Sequence, residues 1–365
     1  MIESMGSTRD TIVIGSSAGG VLALRRLLSA LPADLAATVI VAQHQASDGP
    51  ARLDEALRDV STLPVAFARD GETPARGHVY LAPPDRHTML ADDVLVVCSG
   101  PRENRSRPAI DPLFRTAAAA RGGRVIAVQL TGLLDDGVAG LDRVRRCGGL
   151  VVVQDPDDAE FDAMPRNALA TTKADHVPTL QALPGLLVRL VGEPVSKGVI
   201  PAEVALEARL SLPGPSRPRE VARVGEPVAL ACPDCGGPLW QSGEGLTAIY
   251  RCHVGHALST RVLLEAQSEQ IERSLWVAVR SLSEHAATLT RLADSSDTRL
   301  HKLGDGYRER AREALDHSDQ ARRFLLSLHS GLPGPGTREL AGHGHTAANE
   351  DNDTALGPVL LPEGE

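Results

Sequence analysis

From about residue 9 to residue 193, short apolar runs rich in β-branched residues alternate with Ala-, Leu- and Arg-rich segments whose apolar positions recur at helical spacing. The runs at 11–14, 37–42, 65–67, 78–81, 94–98, 125–130 and 150–153 predict strands. The segments at 21–30, 50–60, 112–121, 137–146 and 179–191 predict helices. Most of the strands are apolar at nearly every position rather than at alternate ones, a sign of burial on both faces. Strand and helix in alternation then give an α/β domain with a doubly wound, mostly parallel sheet, whose ligands sit at the carboxyl ends of the strands. The stretch 71–97 reads as a hairpin-like antiparallel addition to that sheet.

Past residue 193 the pattern changes. Pro201, Pro213, Pro215 and Pro218 break up residues 194–226, which read as a linker with one helical piece at 202–210. Residues 227–258 hold a cysteine cluster and read as a small separate module. In 259–330, Leu275, Leu282 and Leu289 recur every seven residues, with Val279, Ala286 and Ala293 four residues after each. That spacing suits the seam of an α-helical hairpin, read here as intramolecular core rather than a dimer interface. Gly304-Asp305-Gly306 predicts its turn and 307–329 its return helix. Residues 331–365, rich in Pro, Gly, Asn and acidic side chains, read as a disordered tail.

Composition narrows the function. At 365 residues the chain has room for two or more domains. Hydrophobic residues make up 42% and aromatic ones 2%, so the core is aliphatic. A net charge of −9 removes any bulk attraction to nucleic acid. No 18-residue apolar stretch occurs and the first ten residues hold no signal-peptide core, so a soluble, cytoplasmic protein is expected. Three of the five cysteines cluster, which suits metal binding in a reducing compartment better than disulfides.

The candidate chemistry lies at the predicted strand ends. Gly15-Ser16-Ser17-Ala18-Gly19 follows the first strand and places Ser17 at the centre of Gly-x-Ser-x-Gly, a turn that pushes a hydroxyl out where a nucleophile is usable. A phosphate-cradling turn or a plain tight connection fits the same residues. A Rossmann or P-loop reading is weaker, because Gly-x-Gly-x-x-Gly is missing and no Lys follows. A serine nucleophile needs a general base and a carboxylate to orient it. His44 ends the second strand, and Asp135 and Asp136 follow the strand at 125–130; their adjacency leaves the choice between them open.

Several ordered segments of residues 11–190 resemble the catalytic domain of the chemotaxis protein-glutamate methylesterase (CheB-type) family. Ile14 to Gly20 resembles its nucleophile turn, Gln43-His44 its Gln-His pair, and Leu130-Thr131-Gly132 through Asp136-Gly137 its Leu-Thr-Gly-x-x-x-Asp-Gly segment. Val79 to Pro84, Pro108 to Phe114, Gln154-Asp155 and Ala163-Met164-Pro165 match further segments. The resemblance implies catalytic residues Ser17, His44 and Asp136, the last in preference to Asp135. It implies a serine hydrolase that demethylates glutamyl esters on methyl-accepting chemotaxis receptor helices, with glutamine deamidation in some members. Backbone N–H groups of Ala18 and Leu133 are the candidate oxyanion donors. Three departures stand out: Ala18 replaces a usual Thr, Leu133-Leu134-Asp135 replaces a Met-Gly-Asn-like stretch, and Gln45 replaces an apolar residue. About ten residues precede the first strand, so the family's receiver domain is not expected. Control would then come from the C-terminal region or from a separate signalling regulator. The rival expectation is a non-catalytic scaffold with a vestigial hydrolase domain.

Cys232-Pro233-Asp234-Cys235 and Cys252-His253-Val254-Gly255-His256 have the ligand types and spacing of a zinc ribbon, so a structural zinc is expected and no cofactor for catalysis. His253 and His256 compete for the fourth position. The intervening Val254-Gly255 favours His256, as does a resemblance to a Cys-Pro-x-Cys…Cys-x-x-Gly-His module found behind methylesterase domains in some relatives. Cys98 and Cys147 read as structural thiols, and His343 and His345 as solvated.

Overall fold

The computed structural model describes residues 7–45, 52–195, 198–214, 218–295 and 301–330. The chain divides into two compact units, Met1–Arg273 and Ser274–Glu365.

The first unit begins with β1 (Thr11–Ser16), α1 (Gly20–Ser29), β2 (Thr38–Gln43), α2 (Leu53–Arg58), β3 (Val65–Phe67) and β4 (Val79–Leu81). A hairpin of β5 (His87–Ala91) and β6 (Val94–Cys98) leads into α3 (Ile110–Arg121), β7 (Val125–Gln129), α4 (Val138–Arg146) and β8 (Leu150–Val153). Next come α5 (Ala163–Thr171), α6 (Leu183–Leu190), α7 (Ala202–Ser211) and the one-turn α8 (Pro218–Val221). Six strands form one sheet in the order β3-β4-β2-β1-β7-β8, and every pairing in it is parallel.

Successive side chains of a strand point to opposite faces, and here both faces are apolar. Ile12, Ile14, Val39, Val41, Ile126 and Val128 pack on one face under α1, α2 and α6. Val13, Ile40, Ala127 and Val151 pack on the other under α3, α4, α5 and α7. Full burial of such a side chain contributes roughly 1.5–3 kcal/mol, so these two aliphatic layers hold the domain without aromatic help. The chain winds outward from β1 through β2 to β3, then returns to β7 on the other side of β1. That switch opens a crevice at the carboxyl ends of β1, β2 and β7. The register sets those ends level: Ser16 pairs with Gln43, and Gly15 with Gln129.

Two expectations for the first unit need correction, and one helix goes beyond them. The stretch 71–97 is not one antiparallel addition: β4 joins the main sheet in parallel, and β5–β6 form a separate two-stranded sheet. Leu90 and Leu95 of that hairpin pack into the α3 side of the core, which draws it off the sheet edge. The supposed linker is largely part of the domain. Val204, Ala208 and Leu210 of α7 are buried, and Glu207 makes a two-pronged ion pair with buried Arg143 of α4. Helix α5 escaped the sequence reading because its buried side is short: Met164, Pro165 and Ala168.

The cysteine module is a four-stranded antiparallel sheet, ordered β12-β11-β10-β9, of β9 (Glu226–Ala231), β10 (Pro238–Ser242), β11 (Ile249–Cys252) and β12 (Ala257–Ser259). Its core is Leu239, Leu258, Cys232 and Cys252, closed by Val262 and Leu263 from the first turn of α9 (Thr260–Asp294).

In the second unit, the rest of α9 pairs with α10 (His301–Ser330), burying Val279, Ala286, Leu289 and Ala293 of one helix and Ala311, Ala314 and Leu325 of the other. Leu275 and Leu282 of the expected stripe are half-buried. Gly304-Asp305-Gly306 is not the turn; it lies inside α10. Gly304 is buried on the same helical face as Tyr307 and Ala311, so its small size serves close packing there. The expected tail, 331–365, with His343 and His345, lies outside the described residues. Among the described residues no helix is long and apolar enough to cross a membrane.

Candidate active site

Chain direction and strand register bring Ser17 and His44 to neighbouring strand ends. Gly19 turns the chain with a left-handed φ of 73°, a conformation that side-chain-bearing residues adopt at a cost, and α1 starts at the next residue. Gln43, the last residue of β2 and nearly fully buried, ties the two ends together. Its Oε1 accepts from Ser16 Oγ at 2.6 Å, and its Nε2 donates to the carbonyls of Ser17 and His44, each at 2.8 Å. The loop after β7 closes from the other side: Ser17 N–H donates to Thr131 O at 3.1 Å. Gly132 lies so close that a Cβ there would come within 2.8 Å of Ser17 Cβ.

The geometry links three side chains in a line. His44 Nδ1 is 3.1 Å from Ser17 Oγ, and His44 Nε2 is 2.7 Å from Asp136 Oδ2. An ionised carboxylate can only accept, so His44 carries its proton on Nε2 and offers a bare Nδ1 to the serine. Asp136 is 2% exposed and accepts from three further donors. Ile110 N–H at 2.7 Å shares Oδ2, while Asn104 Nδ2 at 2.8 Å and Asp111 N–H at 3.2 Å reach Oδ1. The two amides belong to the first turn of α3, whose dipole favours an anion there. Burial pushes the Asp136 carboxyl up, but the hydrogen bond and charge of His44, the Ile110 amide and Asn104 outweigh it and hold it below the usual range.

The neighbouring acids behave differently. Asp135 turns away from His44: its Oδ1 accepts from Ser259 Oγ at 2.8 Å, and burial pushes it up to about 6. Asp111 is pushed up to about 8 by burial and by the charge of Asp136. It shares the Asn104 amide, Nδ2 to Oδ2 at 2.9 Å, and accepts from Gly140 N–H at 2.6 Å. Of two carboxyls under one amide, Asp136 is therefore the one that ionises first, and Asp111 holds its proton more tightly.

Among the described residues, neither Ala18 N–H nor Leu133 N–H donates to another protein group. Leu134 stands in the left-handed region, φ 61°, at a cost of roughly 1–2 kcal/mol for a side-chain-bearing residue. Its carbonyl is held by Asn167 Nδ2 at 2.6 Å. The departure from a glycine at this position thus carries local backbone strain in the loop after β7. Val21, Leu22, Leu133, Leu134 and Phe161 are exposed apolar side chains on the segments flanking Ser17.

In the cysteine module, the sulfurs of Cys232, Cys235 and Cys252 and a ring nitrogen of His256 all lie within 4.8 Å of one another. Adjacent pairs are 3.6–3.8 Å apart, close to the edge of a tetrahedron whose centre is about 2.3 Å from each sulfur. His253 lies outside this cluster. Cys147 is buried and pushed up to about 11 by desolvation, as an unreactive thiol should be.

Sequence reasoning assigned no role to Gln43, Asn104 or Asp111. A polar residue ending an apolar strand was the available signal for Gln43; Asn104 sits in an aperiodic loop and carries none.

Residues 12–187 match the CheB methylesterase family model. A protein of Leptospira interrogans named "Putative protein-glutamate methylesterase/protein-glutamine glutaminase" is 37% identical over 182 residues, 50% of this chain and 94% of that protein. The chain belongs to the CheB methylesterase family. A protein-glutamate methylesterase/protein-glutamine glutaminase of Anaeromyxobacter dehalogenans is 38% identical over 188 residues, and the match spans 52% of that longer protein. The crystallised catalytic domain of the Thermotoga maritima CheB methylesterase is 32% identical and covered in full by 51% of this chain, with a TM-score of 0.48. The family match ends within α6, and α7, the cysteine module and the helical hairpin lie beyond the matched residues.

Proposed function

We propose that this protein is a serine hydrolase that removes methyl groups from glutamyl methyl esters on chemoreceptor helices, with deamidation of glutamine as a related activity on the same site. The reading rests on one observation, the hydrogen-bonded line from Ser17 through His44 to Asp136 in a methylesterase-family domain. Ser17 Oγ attacks the ester carbonyl while His44 Nδ1 takes its proton. The imidazolium so formed lies against the ionised Asp136. The tetrahedral oxyanion points to Ala18 and Leu133 N–H, where one such donor is worth about 100- to 1,000-fold in rate. Nδ1 then returns the proton to the departing methanol. Water, activated by the same nitrogen, cleaves the acyl-serine and leaves a glutamate carboxylate. The apolar rim around Ser17 suits the methyl group and the apolar side of a helix.

The Cys232, Cys235, Cys252 and His256 set would hold a structural zinc: all four positions are filled by protein, which leaves none for a reacting water. The ion would cross-link the module, and no catalytic step passes through it. A second reading, a binding protein with a silent hydrolase domain, is favoured only by Ala18 and by the strained Leu134 beside the oxyanion position. Methanol release from methylated receptor separates the two. Wild type turns over and Ser17→Ala does not; turnover by Ser17→Ala, or none by wild type together with no labelling by a serine-directed fluorophosphonate, overturns the first reading.

A further inference from the structure

The catalytic aspartate is wired to the cysteine module through one side chain. Asn104 lies in the loop between β6 and α3, 6% exposed, at a φ of 49° that Asn tolerates better than most residues. Strand β12 grips it twice. Asn104 N–H donates to Ala257 O at 2.8 Å, and Ser259 N–H donates to Asn104 Oδ1 at 2.8 Å. The second bond decides which way the amide faces. A backbone N–H must meet the oxygen, so the NH₂ is turned toward the two buried carboxyls. Its hydrogens go to Asp136 Oδ1 at 2.8 Å and Asp111 Oδ2 at 2.9 Å. With Oδ1 held there, Oδ2 of Asp136 is left facing His44 Nε2. The same Ser259 also reaches the loop that carries Asp136, donating from Oγ to Asp135 Oδ1 at 2.8 Å. Below these contacts, Arg251 of β11 meets buried Glu103, the residue before Asn104, at 3.3 Å.

We propose that Asn104 is a positioning residue through which β12 of the cysteine module orients Asp136, so that the module is a working part of the hydrolase and not an appendage. This rests on the methylesterase reading of Ser17, His44 and Asp136. The module acts on catalysis without touching substrate: it sets the rotation of a carboxylate two hydrogen bonds away.

Asn104→Asp tests the link at one end. It keeps the size, the backbone preference and the acceptor for Ser259 N–H, and it replaces the donor shared by Asp136 and Asp111 with a third carboxyl beside them. A purely structural Asn104 would lose folding stability in this variant, while kcat per folded molecule and the His44 tautomer stayed those of wild type. The proposal instead expects kcat for methanol release by the full chain to fall about 10- to 100-fold, the worth of a hydrogen bond to a charged group, with KM held within about threefold. Ser259→Pro tests the other end, because Pro lacks the N–H that orients the amide. It should lose at least about tenfold in kcat beyond Ser259→Ala, which removes Oγ alone. If Ser259→Pro does not fold, Asn104→Asp decides. The ¹⁵N NMR signal of His44, assigned through His44→Gln, gives a readout free of turnover: Nε2–H in the wild type, a shift toward the Nδ1–H form in Asn104→Asp. Unchanged kcat and an unchanged tautomer in Asn104→Asp overturn the proposal, as does a loss confined to KM. A wild type that releases no methanol but shows the tautomer shift would sink the functional reading and leave the positioning role standing.

Discussion

Replacing Asp136 by Asn swaps one oxygen for a nitrogen in a site built for an acceptor at both ends. The carboxylate receives four donors: His44 Nε2–H and Ile110 N–H at Oδ2, Asn104 Nδ2 and Asp111 N–H at Oδ1. Whichever way the new amide is placed, its NH₂ faces two N–H groups, and each buried group left without a partner costs about 1–3 kcal/mol. One of the clashes has a local escape. If His44 moves its proton to Nδ1, the bare Nε2 can accept from the amide. That relief disables the base, because Nδ1–H then points at Ser17 Oγ and cannot take its proton. The variant also loses the negative charge that stabilises the imidazolium. The matching change in a serine-protease triad lowers kcat by about 10⁴-fold, and the same order is expected here. Methanol release under saturating methylated receptor measures kcat, and a serine-directed titrant counts competent sites. A variant that keeps kcat within about tenfold of wild type, with His44 still protonated on Nε2, would refute the reasoning.

Gly132→Ala puts a methyl group within 2.8 Å of Ser17 Cβ and of the Met164 thioether; the thioether can move and the nucleophile turn cannot. Displacement of Ser17 by about 1 Å should cost about 100-fold in kcat with the fold intact by circular dichroism, and an unimpaired enzyme would show that the loop yields instead. Asp111, raised from 3.8 to about 8, binds its proton more tightly in the folded state, so its contribution to stability is full below about pH 4 and lost as pH rises through about 8. The unfolding temperature of Asp111→Asn should fall less steeply than that of wild type between pH 6 and 8; parallel curves would exclude Asp111 as the titrating group. Purified protein should carry one zinc ion per chain by elemental analysis, and Cys252→Ala should abolish it and lower the unfolding temperature, whereas a metal-free wild type of equal stability would refute the zinc assignment.

The β-branched runs of β1, β2 and β7 announce buried parallel strands because each is apolar on both faces, and the topology rule for such sheets by itself puts Ser17 and His44 on one rim. Local pattern misled where packing outside the segment ruled. The β5–β6 hairpin leaves the sheet because Leu90 and Leu95 find α3, and Gly304 stays helical because it is small enough for a close seam. The choice between Asp135 and Asp136 shows the limit most sharply. Two adjacent aspartates have the same chemistry and nearly the same place in a strand-end loop, so spacing cannot separate them, and only family resemblance favoured one. In the folded chain one meets the α3 amides, Asn104 and His44, and the other meets Ser259.

What the amino-acid order determined by itself was the layered sheet, the glycine turn around Ser17, the strand-end histidine and the cysteine spacing. All of these follow from short-range periodicity and from backbone angles that particular residues permit. What only the tertiary structure decided was the rotation of one carboxylate and the module that holds it. Ser259 and Asn104 are 155 residues apart, and no local pattern encodes a hydrogen bond between them. It exists because packing brings β12 against the loop before α3, where buried polar groups must find partners.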